Sequence, residues 1–367
     1  MDSAPIRMAI YLGLAGIEFS EAIQTSANAM KEPSMKGYGV TLSPMSRISL
    51  QTASSDPPIT GYSGFVQLAR ETEDAGFGGV FIPEAVNDAL MCSFAVANAT
   101  KRINIGTWIV NIYLREPALC AIAAEMVQEA AQGRFILGLG VSHRPALEAR
   151  GIEMGNARVR LRRDTEIIRK AFRGELDMFG MKFPSPSHPI PIYYAALALE
   201  TSKLGGELAD GLMLYMCTPE RMRKSIDAAN TVARDLGRAP SSITMTCGVP
   251  VFLHDDLKVA YEAARRGLAF YGALPFYNRI FSKNGFAEPA ARIMEAAKRR
   301  DSASMAAAIT NELVDAVALV GPASRCIERV KAYREQGADV LIFAPNPVNE
   351  DYASAVRRIH QAFAKLN

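Results

Sequence analysis

Short apolar runs alternate along this chain with longer stretches whose apolar positions recur every three or four residues. The first pattern predicts buried strands and the second predicts helices packed by one face. The runs fall near Met8–Gly13, Gly79–Glu84, Ile103–Val110, Phe135–Gly140, Ile192–Ala196, Leu212–Met216, Ile243–Leu253 and Val340–Ala344. Eight strand-then-helix units in 367 residues imply parallel strands and favour a closed (β/α)8 TIM barrel, one α/β domain over 1–367, over an open sheet.

The helical stretches are punctuated. Between Ser63 and Ala75, Phe65, Leu68, Ala69 and Thr72 share one face, and Gly76 follows as a stop. Pro117 opens a second helix, in which Leu119, Ile122, Ala123 and Met126 are expected to form an inward stripe, and Gly133 ends it. A third lies between Pro322 and Gly337, with Cys326, Ile327, Val330 and Arg334 at helical spacing.

Three stretches break the repeat. Residues 17–60 follow the expected first strand, Phe179–Pro191 reads as a hairpin or extended excursion, and residues 273–311 follow the seventh strand with Phe276, Tyr277, Phe281 and Phe286. Loops after barrel strands surround the active-site mouth, so the first and third insertions are candidate lids. The alternatives are disorder for the first and packing on a partner subunit for the third.

Composition narrows the function. With 49% hydrophobic residues the chain can enclose a sizeable site, and a net charge of +3 without basic-aromatic blocks argues against nucleic acid. The five cysteines are scattered, with no Cys-x-x-Cys, which suggests neither zinc nor a disulfide framework and fits reduced thiols in a cytoplasm. Met8–Leu14 is too short for a signal peptide, and no run reaches the ~20 residues of a membrane span.

Candidate chemistry gathers at strand ends. Arg134–Ser142 (Arg-Phe-Ile-Leu-Gly-Leu-Gly-Val-Ser) reads as a strand running into glycines, where Gly138 and Gly140 would let a ligand approach and the amides of Gly140, Val141 and Ser142 could hold an anion. A dinucleotide fingerprint is disfavoured because its third glycine is missing. His143 follows directly, able to exchange a proton or simply to bond its own loop. Glu84 ends the second strand, as ligand group or as partner of an arginine. Trp108, Asn111 and Tyr113 stand at the end of the third. Ala195 to Ala198 leave room for a flat group, and for a phosphate near the following helix. Arg158, Arg160, Arg162 and Arg163 read mainly as a solvated helix face, with one or two able to reach an anionic tail. No ligand spacing for a metal and no Gly-x-Ser-x-Gly elbow is present.

Together, Gly133–Ser142, the Ala-Ala ahead of Gly-Glu-Leu-Ala-Asp-Gly (Gly206–Gly211), and Val-Gly-Pro followed by Cys-Ile-Glu-Arg (Val320–Arg329) resemble the bacterial-luciferase-like oxidoreductase superfamily. The resemblance covers over half the chain and is strongest to the deazaflavin branch that includes methylenetetrahydromethanopterin reductase. It implies a barrel binding coenzyme F420 or FMN at its C-terminal mouth and passing a hydride between the ring and a small-molecule substrate. It further implies a non-prolyl cis peptide between Trp108 and Ile109. Cofactor contacts would come from Glu84, Asn111, Gly140, Val141, Ser142, Ala195, Ala196 and Gly211, with proton transfer at His143 and a homodimer as the assembly. Ala85 departs from relatives that carry histidine there.

Three functions follow as expectations. The first is an F420-dependent oxidoreductase, with His143 or a water handling the proton and Glu84 shaping the pocket. The second is an FMN-dependent monooxygenase that receives reduced flavin from a reductase partner and uses O2. The third is a barrel without cofactor that serves as a binding protein.

Overall fold

Eight parallel strands close on themselves: β1 (Gly37–Thr41), β2 (Gly79–Ile82), β3 (Asn104–Thr107), β4 (Phe135–Gly140), β5 (Ile192–Ala195), β6 (Gly211–Tyr215), β7 (Thr244–Leu253) and β8 (Val340–Pro345). Each pairs with its sequence neighbours, and β8 returns to β1 with Val40 opposite Phe343. The computed structural model describes residues 37–43, 61–84, 87–178, 180–183, 185–239 and 242–366. These fall in one compact unit, Met35–Asn367.

Helices α1 (Gly61–Asp74), α2 (Ala89–Ala99), α3 (Pro117–Ala131), α4 (Ala157–Phe172), α5 (Leu199–Leu208), α6 (Pro219–Asp235), α7 (Ala323–Glu335) and α8 (Tyr352–Phe363) form the outer ring. Side-chain caps fix several starts: Asp88 accepts from Met91 N, Glu116 from Leu119 N, and Thr218 from Arg221 N. The expected (β/α)8 barrel is therefore the observed fold, and its main apolar core lies between strands and helices.

Several expectations need correction. The strand that opens the barrel is Gly37–Thr41, inside the segment expected as an insertion; the expected first strand, Met8–Gly13, lies outside the described residues. Of the expected lid 17–60, only 37–43 are described, as strand and strand end. In α3 the stripe is reversed: Leu119, Ile122 and Met126 are exposed, whereas Cys120, Ala121, Ala124 and Val127 pack inward. Small residues let α3 sit close to the barrel, and the large ones turn out. The α1 face of Phe65, Leu68, Ala69 and Thr72 is buried as read.

The excursion after α4 contains a two-stranded hairpin, Asp177–Met178 against Met181–Lys182. The insertion after β7 is larger than read. It starts with helix Leu257–Ala273, continues through Pro275–Phe281, Ala287–Lys298, Ser302–Ala307 and Asn311–Val317, and returns through Leu319–Gly321, which pairs with the end of β7. It has its own apolar core around Phe252, Leu268, Phe281 and Ile293. No helix of the described residues is long and apolar enough to cross a membrane.

The barrel interior is filled by Phe81, Ile136, Tyr193, Met213, Val340 and Ile342. Phe81 fits because Gly39 and Gly106 offer no Cβ: one on Gly106 would stand 2.5 Å from its ring. Trp108 rests edge-on upon Phe81, with centroids 5.8 Å apart, and marks the level at which the filled interior gives way to the mouth.

Candidate active site

The mouth geometry starts with a bulge. Gly106 pairs with Ile136, and pairing resumes with Val110 opposite Leu139, so the third strand spends four residues where β4 spends three. The extra residue lies at Trp108–Ile109, whose peptide bond is cis, as the resemblance implies. Thr107 pins the bulge: its hydroxyl donates to Gly138 O at 2.9 Å and accepts from Gly138 N at 2.8 Å. A Cβ on Gly138 would collide with Thr107 O, and one on Gly140 would lie 2.5 Å from Ile109. The glycines of the Arg134–Ser142 motif thus make room for the bulge and not for a ligand, a correction to the reading of Gly138 and Gly140.

Above the bulge opens a cavity of about 1420 Å³, lined by strand ends and the insertion. Glu84, Trp108, Ile109, Asn111, Val141, Ser142, His143 and Ala195 all line it. Three expected contacts do not. Gly140 is covered by Ile109, and Ala196 is fully buried with its N–H donating to Met213 O. Gly211 opens β6 at the opposite end of the barrel, where its missing Cβ accommodates the Tyr193 ring. Tyr113 also turns away, donating its hydroxyl to Met154 O.

Glu84 is tied down at both oxygens. Its Oε2 accepts from Asn111 N at 2.7 Å, and its Oε1 meets Arg115 Nη2 at 3.1 Å, while Arg115 also reaches Asp88 at 2.5 Å. Burial opposes the charge on Arg115, but Asp88 and Glu84 together raise its pKa. The second-strand acid therefore holds the end of the third strand in place. Asn111 is itself buried, and its Oδ1 accepts from Tyr113 N.

One flank of the cavity is polar and cationic. Ser142 turns the chain there with a left-handed φ of 58°, and α5 begins at Ala198 without the side-chain cap that α2, α3, α4 and α6 possess. Ala198 and Thr201 line the cavity, so the first-turn amides of α5 are available to an anion. Arg144, Arg150 and Arg158 also line the cavity. Arg144 approaches Glu148 at 3.8 Å, and Arg158 has no ion pair among the described residues. Its neighbours are committed elsewhere: Arg160 and Arg163 to Asp164, Arg162 to Glu207. Arg158 is exposed at the edge of the cavity, in keeping with the solvated-face reading of the cluster, and is the member placed to reach an anionic group.

A second flank is aromatic. Tyr215, at the end of β6, meets Tyr271 and Tyr277 of the insertion, with centroids 5.5 and 6.2 Å away, and Tyr277 lies 5.7 Å from His143. Burial lowers the His143 pKa and raises those of all three tyrosines, so these groups are neutral near pH 7. The sequence reading missed Tyr215, Tyr271 and Thr201 as site residues. Tyr215 was within reach of the strand-end rule that found Glu84. Tyr271 was not, since only the fold of the insertion brings it to the mouth. The insertion does border the mouth, as a lid would, but through its first two helices.

A barrel open at the C-terminal ends of its strands, with a bulged third strand as floor, defines the class, and comparison with known proteins gives the family. Residues 40–340 match the family model of luciferase-like monooxygenases, and the chain belongs to that family. It is 27% identical to 5,10-methylenetetrahydromethanopterin reductase of Archaeoglobus fulgidus over 315 residues, 80% of this chain and 92% of that one. The structure resembles coenzyme F420 dependent tetrahydromethanopterin reductase from Methanopyrus kandleri with a TM-score of 0.72 and 19% identity, over 89% of this chain and 98% of that one. A type II Baeyer–Villiger monooxygenase from Pseudomonas putida, the oxygenating constituent of 3,6-diketocamphane monooxygenase in complex with FMN, matches with a TM-score of 0.63 and 17% identity, over 90% and 97%. Both structural matches support the barrel fold.

Proposed function

We propose that this protein is a coenzyme F420-dependent oxidoreductase that moves a hydride between the deazaflavin and a small organic substrate. The observation that carries this reading is one cavity with three unlike walls: an apolar floor at Trp108 and Ile109, a cationic flank at α5, and an aromatic flank from the insertion. The family and the F420-dependent reductases it resembles agree with such a site. A flat heterocycle that carries a phosphate suits these walls, and when bound it supplies the two-electron hydride chemistry that no side chain here can.

The chain's own residues bind, orient and manage protons. Trp108 and Ile109 offer the supporting surface, and Ala195 keeps the neighbouring wall low. Ser142, Thr201, the first amides of α5 and Arg158 would hold the phosphate. Glu84 acts through Asn111, whose backbone it fixes. Neutral His143 can accept a proton at an imidazole nitrogen, since its ring nitrogens have no hydrogen-bond partner among the described residues.

The second reading is a monooxygenase that uses reduced FMN and O2 with a reductase partner, favoured by the family description and by the FMN-bound neighbour. Anaerobic titration of the purified protein with F420 and with FMN, each in both redox states, separates the readings. Binding of F420 in preference to FMN is the expected result. Binding of FMN alone, with substrate-dependent oxygen consumption, overturns it in favour of the second, and indifference to both leaves a binding protein.

The working form is a homodimer joined through the outward faces of α2 and α3. Helix α2 contains no charged residue, yet Met91 and Phe94 are exposed beside Leu119, Ile122 and Met126 of α3. A two-fold mate would cover these five side chains together with the small residues between them.

A further inference from the structure

The insertion after β7 puts a specific chemistry beside the bulge. Helix Leu257–Ala273 ends and helix Pro275–Phe281 begins at Leu274, and this break sets Tyr271, Phe276 and Tyr277 along one side of the cavity. Trp108 meets Tyr215 edge-on at 6.5 Å, Tyr271 meets Tyr277 at 5.0 Å, and Tyr277 meets His143 at 5.7 Å. The rings form a continuous wall from the floor to the rim.

Its polar groups are few and neutral. The Tyr215 and Tyr271 rings meet edge-on with centroids 5.5 Å apart. The Tyr277 hydroxyl and the His143 ring nitrogens have no hydrogen-bond partner among the described residues, and both side chains line the cavity. Among the described residues the cations nearest this wall, Arg279 and Arg144, are both exposed, and Arg144 approaches Glu148 at 3.8 Å. An ionised carboxylate or phosphate placed against these rings would lose its hydration without gaining a buried counter-charge. The α5 flank offers such a group a better place. A flat apolar body would instead stack on the rings, and one oxygen on it would satisfy the two open polar groups.

We infer that the pocket between Trp108, Tyr215, Tyr271, Phe276, Tyr277 and His143 is the substrate subsite, and that it takes a neutral, flat, apolar molecule bearing one carbonyl or hydroxyl oxygen. The inference rests on the proposed function for the word substrate, but the subsite is testable without turnover. Tyr277 is its specificity-determining residue, because its hydroxyl meets that oxygen. A site built to hydrogen-bond such an oxygen discriminates strongly against analogues without it.

The sole tryptophan, Trp108, reports binding by fluorescence in the full-length protein without cofactor. Acetophenone, ethylbenzene, benzoate and glucose 6-phosphate serve as probes. The expected order has acetophenone at least tenfold tighter than benzoate, and glucose 6-phosphate without effect on the acetophenone titration. Tyr277→Phe is expected to weaken acetophenone about tenfold and to leave ethylbenzene unchanged, and Arg279→Ala to leave both unchanged. Benzoate or glucose 6-phosphate binding as tightly as acetophenone overturns the inference, as does an unchanged acetophenone affinity in Tyr277→Phe, or failure of every probe to bind. Repeating the titration with oxidised F420 separates the two readings. Acetophenone binding without F420 binding sinks the proposed function and spares the subsite, and the reverse sinks the subsite alone.

Discussion

Ile109 occupies the space that a Cβ on Gly140 would need, with its Cγ1 and Cδ1 both 2.5 Å from that position. Ala195 closes the other side at 3.1 Å. Gly140→Ala therefore has to push the Ile109 side chain toward the cavity. The expected cost is about 1–3 kcal/mol, the usual range for overpacking a filled site, together with weaker cofactor binding. Thermal unfolding and cofactor titration of the same variant check it; unchanged values in both would mean that the bulge is looser than its packing indicates.

Glu84 supports the same floor from the other side. In Glu84→Gln the amide oxygen can still accept from Asn111 N, while Arg115 keeps Asp88, so the expected loss is about 1–2 kcal/mol. Glu84→Leu removes both acceptors next to a largely buried guanidinium and should cost about 3 kcal/mol or more. Denaturant unfolding of the two variants reads the difference. Equal losses would show that charge, and not the hold on Asn111, is what Glu84 provides.

These contacts explain which parts were legible in the chain and which were not. Runs such as Phe135–Leu139 and Val340–Phe343 announce buried parallel strands because both of their faces are covered. β1 is hidden by its glycines: Gly39 gives its side-chain space to Phe81, so Gly37–Thr41 looks less apolar than Met8–Leu14. Strand-end reasoning found Glu84, Trp108 and Asn111, since the barrel aims such residues at its mouth, and the family resemblance added Ile109. It misread Gly140 and Gly211 because a missing Cβ serves a neighbouring side chain as readily as a ligand. Tyr271 is far from Tyr215 in sequence and adjacent only through the fold of the insertion.

His360 gives a pH-dependent term. Thr72 spends its hydroxyl proton on Leu68 O, so its oxygen accepts from His360 Nε2 at 3.0 Å, and the buried ring packs on Phe77. Burial lowers the His360 pKa from 6.5 to about 4. The unfolded chain thus takes up a proton below pH 6.5 that the folded chain refuses until about pH 4. The contribution is complete above pH 6.5 and falls away as pH drops toward 4, amounting to about 2 kcal/mol between pH 8 and pH 5. Urea unfolding at those two pH values measures it. His360→Gln, which retains a donor for Thr72, should reduce the difference by about that amount; an unchanged difference would assign it to other groups.

The outward face of α2 and α3 makes the last prediction. Met126 and Leu119 are 60% and 58% exposed on a helix whose small residues face the barrel, an inversion that exposes apolar surface without benefit to a lone chain. With a second copy across a two-fold axis, the same residues meet themselves and are covered. Met126→Lys places an unpaired ammonium in that contact, and at a cost of about 3 kcal/mol or more the dimer should dissociate over a hundredfold more readily. Sedimentation at micromolar concentration distinguishes the outcomes. A wild-type dimer that Met126→Lys converts to a folded monomer supports the interface, whereas a wild-type monomer, or a dimer indifferent to both Met126→Lys and Leu119→Lys, places the contact elsewhere or removes it.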